Sequence, residues 1–121
     1  MSQLGSFIHA AFGRGKVPEI SVEDVADRLG QGNLYVFDVN PRERWARGHV
    51  PRAVNLDPAD FTIADLPEDR TATLVFYCSD PRCGASRFAA WRAQQMGYTS
   101  VFVMPAGIRG WQEAGNPVER G

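Results

Sequence analysis

The sequence has few of the side chains that bind metals, with only two cysteines and two histidines among its 121 residues. A structural zinc site takes four ligands, and the cysteine pair at residues 78 and 83 supplies only two, so we expect no metal ion and no cofactor. An excess of charge of one sign is also lacking, because the formal net charge is −1 and offers no attraction for nucleic acid or an anionic membrane. No apolar run approaches the ~20 residues that span a bilayer. We therefore expect neither a nucleic-acid partner nor a membrane span.

The length and composition are those of one domain. A hydrophobic content of 44% with 22% charged residues is ordinary for a soluble globular protein. The apolar stretch at residues 7–12 is too short for a secretory signal, and the basic residues follow it rather than precede it. We interpret residues 1–16 as an N-terminal extension, flexible or docking, and residues 17–121 as the domain. We expect a cytoplasmic protein, in which both cysteines would remain mostly thiols.

Helical and strand patterns alternate along the domain. Ser21 is a predicted N-cap, and an apolar stripe at helical spacing follows it. Continuous apolar runs, typical of interior strands of a parallel sheet, cover residues 34–39 and 73–77. Asn40 and Pro41 predict the N-cap and first residue of a short helix. The alternation predicts a parallel sheet with helices on both faces. The remaining predicted elements are strands at 53–56 and 100–104 and helices at 41–47, 85–96 and 108–114.

Two predicted strands end in polar residues, and ligands of open parallel sheets bind beyond such ends. Asp38 and Asn40 follow one strand, and Cys78 follows another. A cysteine between a strand and a helix start faces unpaired backbone amides and the positive end of the helix dipole, which favour a thiolate. Such a thiolate suits attack on sulfur, phosphorus or arsenic in an oxyanion. The alternative from local sequence is a buried, inert cysteine.

The second cysteine, Cys83, lies five residues after Cys78 and has two open interpretations. It is a small filler of the loop, or it is a resolving thiol that forms a disulfide with Cys78, which requires Cα atoms within about 7 Å. Pro81 and Gly84 shape the loop, and Arg82 adds a cation.

Other candidates have mainly structural interpretations. His49 is expected to be a turn residue rather than a proton carrier, and the charged residues 42–47 a solvated helix face. Asp38 either accepts hydrogen bonds from loop amides or caps the edge of the core. Phe88 is expected on the apolar face of its helix. Packing roles are expected for the three tryptophans, Trp45, Trp91 and Trp111.

Three segments resemble the rhodanese family. Residues 38–56 resemble its pattern Asp-Val-Arg, short helix, Gly-His-Ile-Pro-Gly-Ala-x-Asn. Phe76, Tyr77 and Cys78 are similar to the strand that leads to the family's nucleophile, and residues 107–111 resemble its closing Gly-Gly-x-x-x-Trp element. The resemblance covers residues 17–118. It implies a rhodanese-like α/β fold with a central parallel sheet of about five strands and helices on both faces.

The resemblance also implies an activity. Rhodaneses are sulfurtransferases that take a sulfane sulfur from a donor such as thiosulfate, carry it as a cysteine persulfide and pass it to cyanide or a thiol. By position, Cys78 is the nucleophile, and Asp38 and Asn40 support the site. The loop that would bind the donor anion and the persulfide contains Ser79, Asp80, Pro81, Arg82, Cys83, Gly84 and Ala85. The partners implied are a small sulfur-containing anion and an acceptor; no oligomeric state is predicted.

The chain departs from the family pattern at several positions. Asn40 replaces the usual arginine, Arg52 a glycine and Ala106 the first glycine of the closing pair. Seven residues separate Cys78 from Ser86, about two more than usual, and the chain resembles a Cys-x4-Cys variant of the family. These departures leave a non-catalytic binding or sulfur-sensing module as an alternative. A phosphatase or arsenate reductase is less favoured, because the sixth residue after the cysteine is glycine rather than arginine.

Overall fold

The computed structural model describes residues 16–121, in which helices and parallel strands alternate as the sequence predicts. Residues 1–15 of the predicted N-terminal extension lie outside this range. The elements are α1 (Val22–Arg28), β1 (Leu34–Asp38), α2 (Arg42–Arg47), β2 (Val54–Asn55), a 3-10 turn (Ile63–Asp65), β3 (Thr73–Tyr77), α3 (Ala85–Gln95), β4 (Ser100–Val103) and α4 (Gly107–Glu113). Ser21 caps α1 as predicted, since its hydroxyl accepts a hydrogen bond from the amide of Asp24.

The sheet has the strand order β2-β1-β3-β4, and every neighbouring pair is parallel. An isolated parallel bridge between Glu19 and Val103 extends the β4 edge, where a fifth strand would lie. The α/β fold is therefore confirmed, with four strands and one bridge in place of about five strands. The two central strands, β1 and β3, carry the continuous apolar runs, because both of their faces are covered.

Helices cover both faces of the sheet and form a core on each. On one face Phe37 and Phe76 pack with their ring centroids 5.2 Å apart, under the alanines of α3. On the other face Val75 packs with Val25 of α1 and Trp111 of α4. Adjacent residues of β3 thus point into different cores, as the period of a strand requires.

Two predictions of local structure are wrong. Asn40 does not cap α2, which begins at Arg42 with Pro41 at its N-cap; the side-chain oxygen of Asn40 instead accepts a hydrogen bond from the hydroxyl of Ser79. Phe88 is not a core residue, since 46% of it is exposed. The face that the helix turns to the sheet contains Ser86, Ala89, Ala90 and Ala93, and these small side chains let it approach closely.

Membrane-spanning helices and clusters of metal-binding side chains are both absent from the described residues. No helix within residues 16–121 has the length and apolar character needed to cross a bilayer. In the same range, no three side chains of His, Cys, Asp or Glu come together as a metal site would require.

Candidate active site

The ends of β1 and β3 lie side by side, which brings the two polar segments of the sequence together. Asp38 is in register with Tyr77, and the amide of Val39 donates to the carbonyl of Tyr77 at 2.9 Å. Asn40 and Cys78 therefore both follow the carboxyl edge of the sheet. The candidate site is assembled from these two adjacent strand ends and from the loop that joins β3 to α3.

Asp38 connects three segments beneath the site. It is fully buried, and its carboxylate accepts hydrogen bonds from the Tyr77 hydroxyl at 2.7 Å and from the Asn40 amide at 2.8 Å. The same hydroxyl accepts from the amide of Val50 at 3.0 Å. Burial raises the pKa of Asp38, and these hydrogen bonds oppose that rise. Burial, followed by the charge of Asp38, raises the pKa of Tyr77. The pair holds β1, β3 and the segment before β2 in a fixed arrangement.

Cys78 and Cys83 form a disulfide, with their Cα atoms 6.4 Å apart. The expectation that both remain thiols therefore differs from the structure. A turn brings the two together: Asp80 accepts from the amide of Cys83 through its carbonyl, at 3.1 Å, and from that of Arg82 through its carboxylate, at 2.9 Å. Pro81 follows Asp80, and Asp-Pro is a favoured start for such a turn. The separation lies within the range that a disulfide can bridge.

The rest of the loop leads into the start of α3. Gly84 precedes the helix and has no side chain to cap it, and Ala85 is the first helical residue. Within residues 16–121, the amides of residues 84–87 make no hydrogen bond. The first amides of a helix point out of its start, here towards the loop, where they form a site of positive potential.

A chain of hydrogen bonds joins α2 to the loop. Arg44 donates to the hydroxyl of Ser79 at 2.6 Å, and that hydroxyl donates to the side-chain oxygen of Asn40 at 2.7 Å. The side-chain nitrogen of Asn40, Nδ2, is buried and has no hydrogen-bond partner among the described residues. The interpretation of residues 42–47 as only a solvated face missed Arg44. The sequence did hold a signal for Arg44, because it lies on the predicted helix that begins at the same edge of the sheet as Cys78.

An arginine-lined cavity of about 320 Å³ opens beside this chain. Its polar lining consists of Arg44, Arg47, Ser79, Asp80, Arg109 and Gln112. Three cations and one carboxylate give it a positive balance, although Arg109 is also paired with Glu113 at 3.3 Å. Such a cavity can accept a small anion next to the cysteine loop.

Helix α4 supports the loop from the other side. The amide of Ile108 donates to the carbonyl of Cys78 at 2.9 Å, and the amide of Arg109 donates to that of Ser79 at 3.1 Å. Gly107 permits this approach, since its φ is 65° and an added Cβ would lie 2.6 Å from the backbone of Cys78 and Ser79.

His49 and the tryptophans have structural contacts. The imidazole of His49 is buried, stacks on Trp45 at 4.3 Å and places Nδ1 2.8 Å from the carbonyl of Trp45. Because a carbonyl only accepts, Nδ1 carries the proton in this contact. The indoles of Trp45 and Trp111 donate to the carbonyls of Ala53 and Pro117. Trp91 stacks near Phe88 at 6.3 Å.

Comparisons with known proteins agree with this architecture. The sequence model of the rhodanese-like domain matches residues 21–114. The chain is 31% identical over 104 residues to an HTH-type transcriptional regulator of Mycobacterium tuberculosis, covering 84% of this chain and 45% of that protein. It thus spans less than half the length of that relative. It is 29% identical over 110 residues to the human thiosulfate:glutathione sulfurtransferase, covering 79% of this chain and 94% of that protein.

Solved structures show the same fold. A thiosulfate sulfurtransferase from Pseudomonas aeruginosa superposes with a TM-score of 0.77 at 28% identity, over 88% of this chain and 20% of that one. The BH2092 protein of Bacillus halodurans gives a TM-score of 0.78 at 20% identity, over 96% and 86% of the two chains. With a family match over most of its length and this sheet order, the chain belongs to the rhodanese-like domain family.

Proposed function

We propose that this protein is a sulfurtransferase that moves a sulfane sulfur from a small anionic donor such as thiosulfate to a thiol or cyanide, through a persulfide on Cys78. The observation that carries the proposal is the position of Cys78, at the end of β3 and before the uncapped start of α3. The unpaired amides of residues 84–87 stabilise a thiolate and an incoming anion together.

The reaction has two half-reactions. In the first, the reduced Cys78 thiolate attacks the outer sulfur of thiosulfate; a sulfur–sulfur bond forms to Cys78, and the bond to the departing sulfite breaks. In the second, the acceptor attacks the outer sulfur of the persulfide and regenerates the thiolate. The Cys78–Cys83 disulfide has no thiolate, so reduction of that bond must precede the first step.

The arginine-lined cavity is the proposed binding site for the sulfonate end of the donor. Arg44 supplies a cation at the strand end where Asn40 replaces the family's arginine, because it reaches the loop through Ser79. Charge-assisted hydrogen bonds to guanidinium groups suit a planar or tetrahedral oxyanion. The guanidinium of Arg44 on α2 thus takes over the role that the family pattern assigns to an arginine at position 40.

A sulfur-sensing module is the second candidate, and the similarity to a transcriptional regulator is the observation that favours it. A sensor would accept sulfur or oxidise at the same loop without multiple turnover. Turnover therefore distinguishes the two functions: we expect thiosulfate-dependent formation of thiocyanate from cyanide with ping-pong kinetics, whereas a sensor gives a single loading event.

The test uses the reduced protein and single substitutions. After treatment with thiosulfate and removal of the excess, mass spectrometry should find one added sulfur atom on the peptide that contains Cys78. Cys78→Ala should abolish both the added sulfur and thiocyanate formation, and Cys83→Ala should still load. Full activity in folded Cys78→Ala protein would refute the proposal.

A further inference from the structure

The second cysteine of the loop takes no part in the proposed transfer to an external acceptor, yet it is bonded to the proposed nucleophile. Cys83 reaches Cys78 across the turn that Asp80 organises, with a Cα separation of 6.4 Å. Two backbone amides, those of Arg82 and Cys83, are tied to Asp80, so the turn itself holds the second sulfur against the first. Cys83 is therefore more than a small residue that fills the loop.

Access to Cys78 differs between an external acceptor and Cys83. Cys78 is only 2% exposed, whereas Cys83 is partly exposed and lies next to it in the loop. An external thiol has to enter the site before it can react. A thiol held in bonding distance reacts within the molecule and gains a large effective concentration.

We propose that Cys83 is a resolving residue that releases the bound sulfur as hydrosulfide, which adds a dithiol-dependent reductive activity to the site. The proposal rests on the proposed function, since it begins from the Cys78 persulfide. The Cys83 thiolate attacks Sγ of Cys78, the Sγ–Sγ bond of the observed disulfide forms, and the bond from Cys78 to the outer sulfur breaks. The outer sulfur leaves with the electron pair and takes up the proton that Cys83 loses.

The electrons of this step balance within the loop. The sulfane sulfur is reduced to hydrosulfide by two electrons, and the two cysteine thiols are oxidised to the disulfide. A dithiol reductant then returns the disulfide to two thiols and closes the cycle. Over one cycle, thiosulfate and a dithiol yield sulfite, hydrosulfide and an oxidised dithiol. The partner class implied is therefore a small or protein-borne dithiol that can reach the partly exposed Cys83.

The sulfur atom that Cys83 attacks decides whether sulfur is released or only passed from Cys78 to Cys83. Attack on the outer sulfur would move the persulfide to Cys83 and leave it in the protein. The structure holds the two Sγ atoms in bonding contact, so the inner sulfur of a Cys78 persulfide lies within direct reach of Cys83. The geometry therefore favours release over relay.

A single-turnover experiment tests the inference. The protein is fully reduced, freed of reductant without air and mixed with thiosulfate, with no acceptor present; sulfite, hydrosulfide, free thiols and intact mass are then measured. We expect the native protein to release one hydrosulfide for each sulfite and to lose both thiols. Cys83→Ser should still form sulfite but retain the sulfur on Cys78, with hydrosulfide release slowed by about a hundredfold or more. Cys78→Ser should form neither product.

The outcomes distinguish the inference from the function on which it rests. If the native protein forms sulfite but keeps its persulfide as stably as Cys83→Ser, or carries the extra sulfur on Cys83, the resolving role is overturned and the transferase proposal survives. If no variant and no native sample forms sulfite, the transferase proposal fails first. Circular dichroism of both serine variants checks that they are folded.

Discussion

The hydroxyl of Tyr77 makes two buried hydrogen bonds under the candidate site, and its removal is a stringent test of the structure. It donates to the carboxylate of Asp38 at 2.7 Å and accepts from the amide of Val50 at 3.0 Å. Tyr77→Phe keeps the ring and deletes both bonds. Because Tyr77 and Asp38 are fully buried, water cannot easily replace the missing partner.

The expected loss of stability follows from these contacts. A hydrogen bond to a charged group contributes about 1.5–3 kcal/mol, and a buried amide left without a partner costs about 1–3 kcal/mol. We expect Tyr77→Phe to reduce the free energy of unfolding by about 3–5 kcal/mol at neutral pH, a large part of the ~5–15 kcal/mol typical of a domain.

The loss should also depend on pH. Burial raises the pKa of Asp38, and the Tyr77 hydroxyl opposes that rise, so its removal should raise the pKa in the folded state further. An acid with a raised folded pKa stabilises the fold below its unfolded pKa, and this stability is lost as pH rises through the folded pKa. The destabilisation by Tyr77→Phe should therefore be greater at about pH 7 than at about pH 4.

Urea unfolding followed by far-ultraviolet circular dichroism at both pH values measures the effect. Tyr35→Phe is the matched control, because Tyr35 lies on the neighbouring strand with 43% of its surface exposed and should change stability by less than about 0.5 kcal/mol. A loss below about 1 kcal/mol for Tyr77→Phe, or one that does not grow with pH, would show that the reasoning about Asp38 is wrong.

Three further predictions concern the loop and its supports. Gly107→Ala places a methyl group 2.6 Å from the backbone of Cys78 at a φ of 65°, so we expect a loss of about 2–4 kcal/mol in thermal or urea unfolding; a neutral result would contradict this packing. Arg52 has a φ of 70°, which strains any residue except glycine, so Arg52→Gly should stabilise the fold by about 0.5–1 kcal/mol in the same assay. A loss of stability would show instead that the contacts of the Arg52 side chain outweigh the backbone strain. Arg44→Gln should raise KM for thiosulfate about tenfold with little change in kcat, while Arg42→Gln on the same helix should not; equal effects would remove the specific role of Arg44.

Most secondary structure followed from local patterns. The apolar runs of β1 and β3, the Ser21 cap and the alternation of elements each depend on residues within one or two turns of the chain. The resemblance to rhodaneses, also read from motifs, implied the sheet architecture that the fold has. Phe88 and Asn40 were misassigned because tertiary packing overrode local preference. The exposure of Phe88 depends on which face of its helix meets the sheet, and the side chain of Asn40 bonds to Ser79, 39 residues away, instead of capping α2.

The position of the candidate nucleophile could be read from sequence, but its surroundings could not. Cys78 stands at a strand end because an apolar strand pattern stops there. Its connection with Cys83 depended on how the Asp80 turn folds, and spacing alone left two interpretations open. Arg44 acquired its contact with Ser79 only through the pairing of β1 with β3.

By itself, the sequence determined the order and type of the elements, the apolar faces and the placing of a thiol between a strand and a helix, since these follow from periodicity and local backbone preference. Only the tertiary structure decided that a second thiol is bonded to the first, that a guanidinium from α2 reaches the loop, and that Gly107 must remain without a side chain. The physical reason is that such contacts join residues distant along the chain or on separate elements. Their distances are set by strand register and helix docking, which no local pattern records.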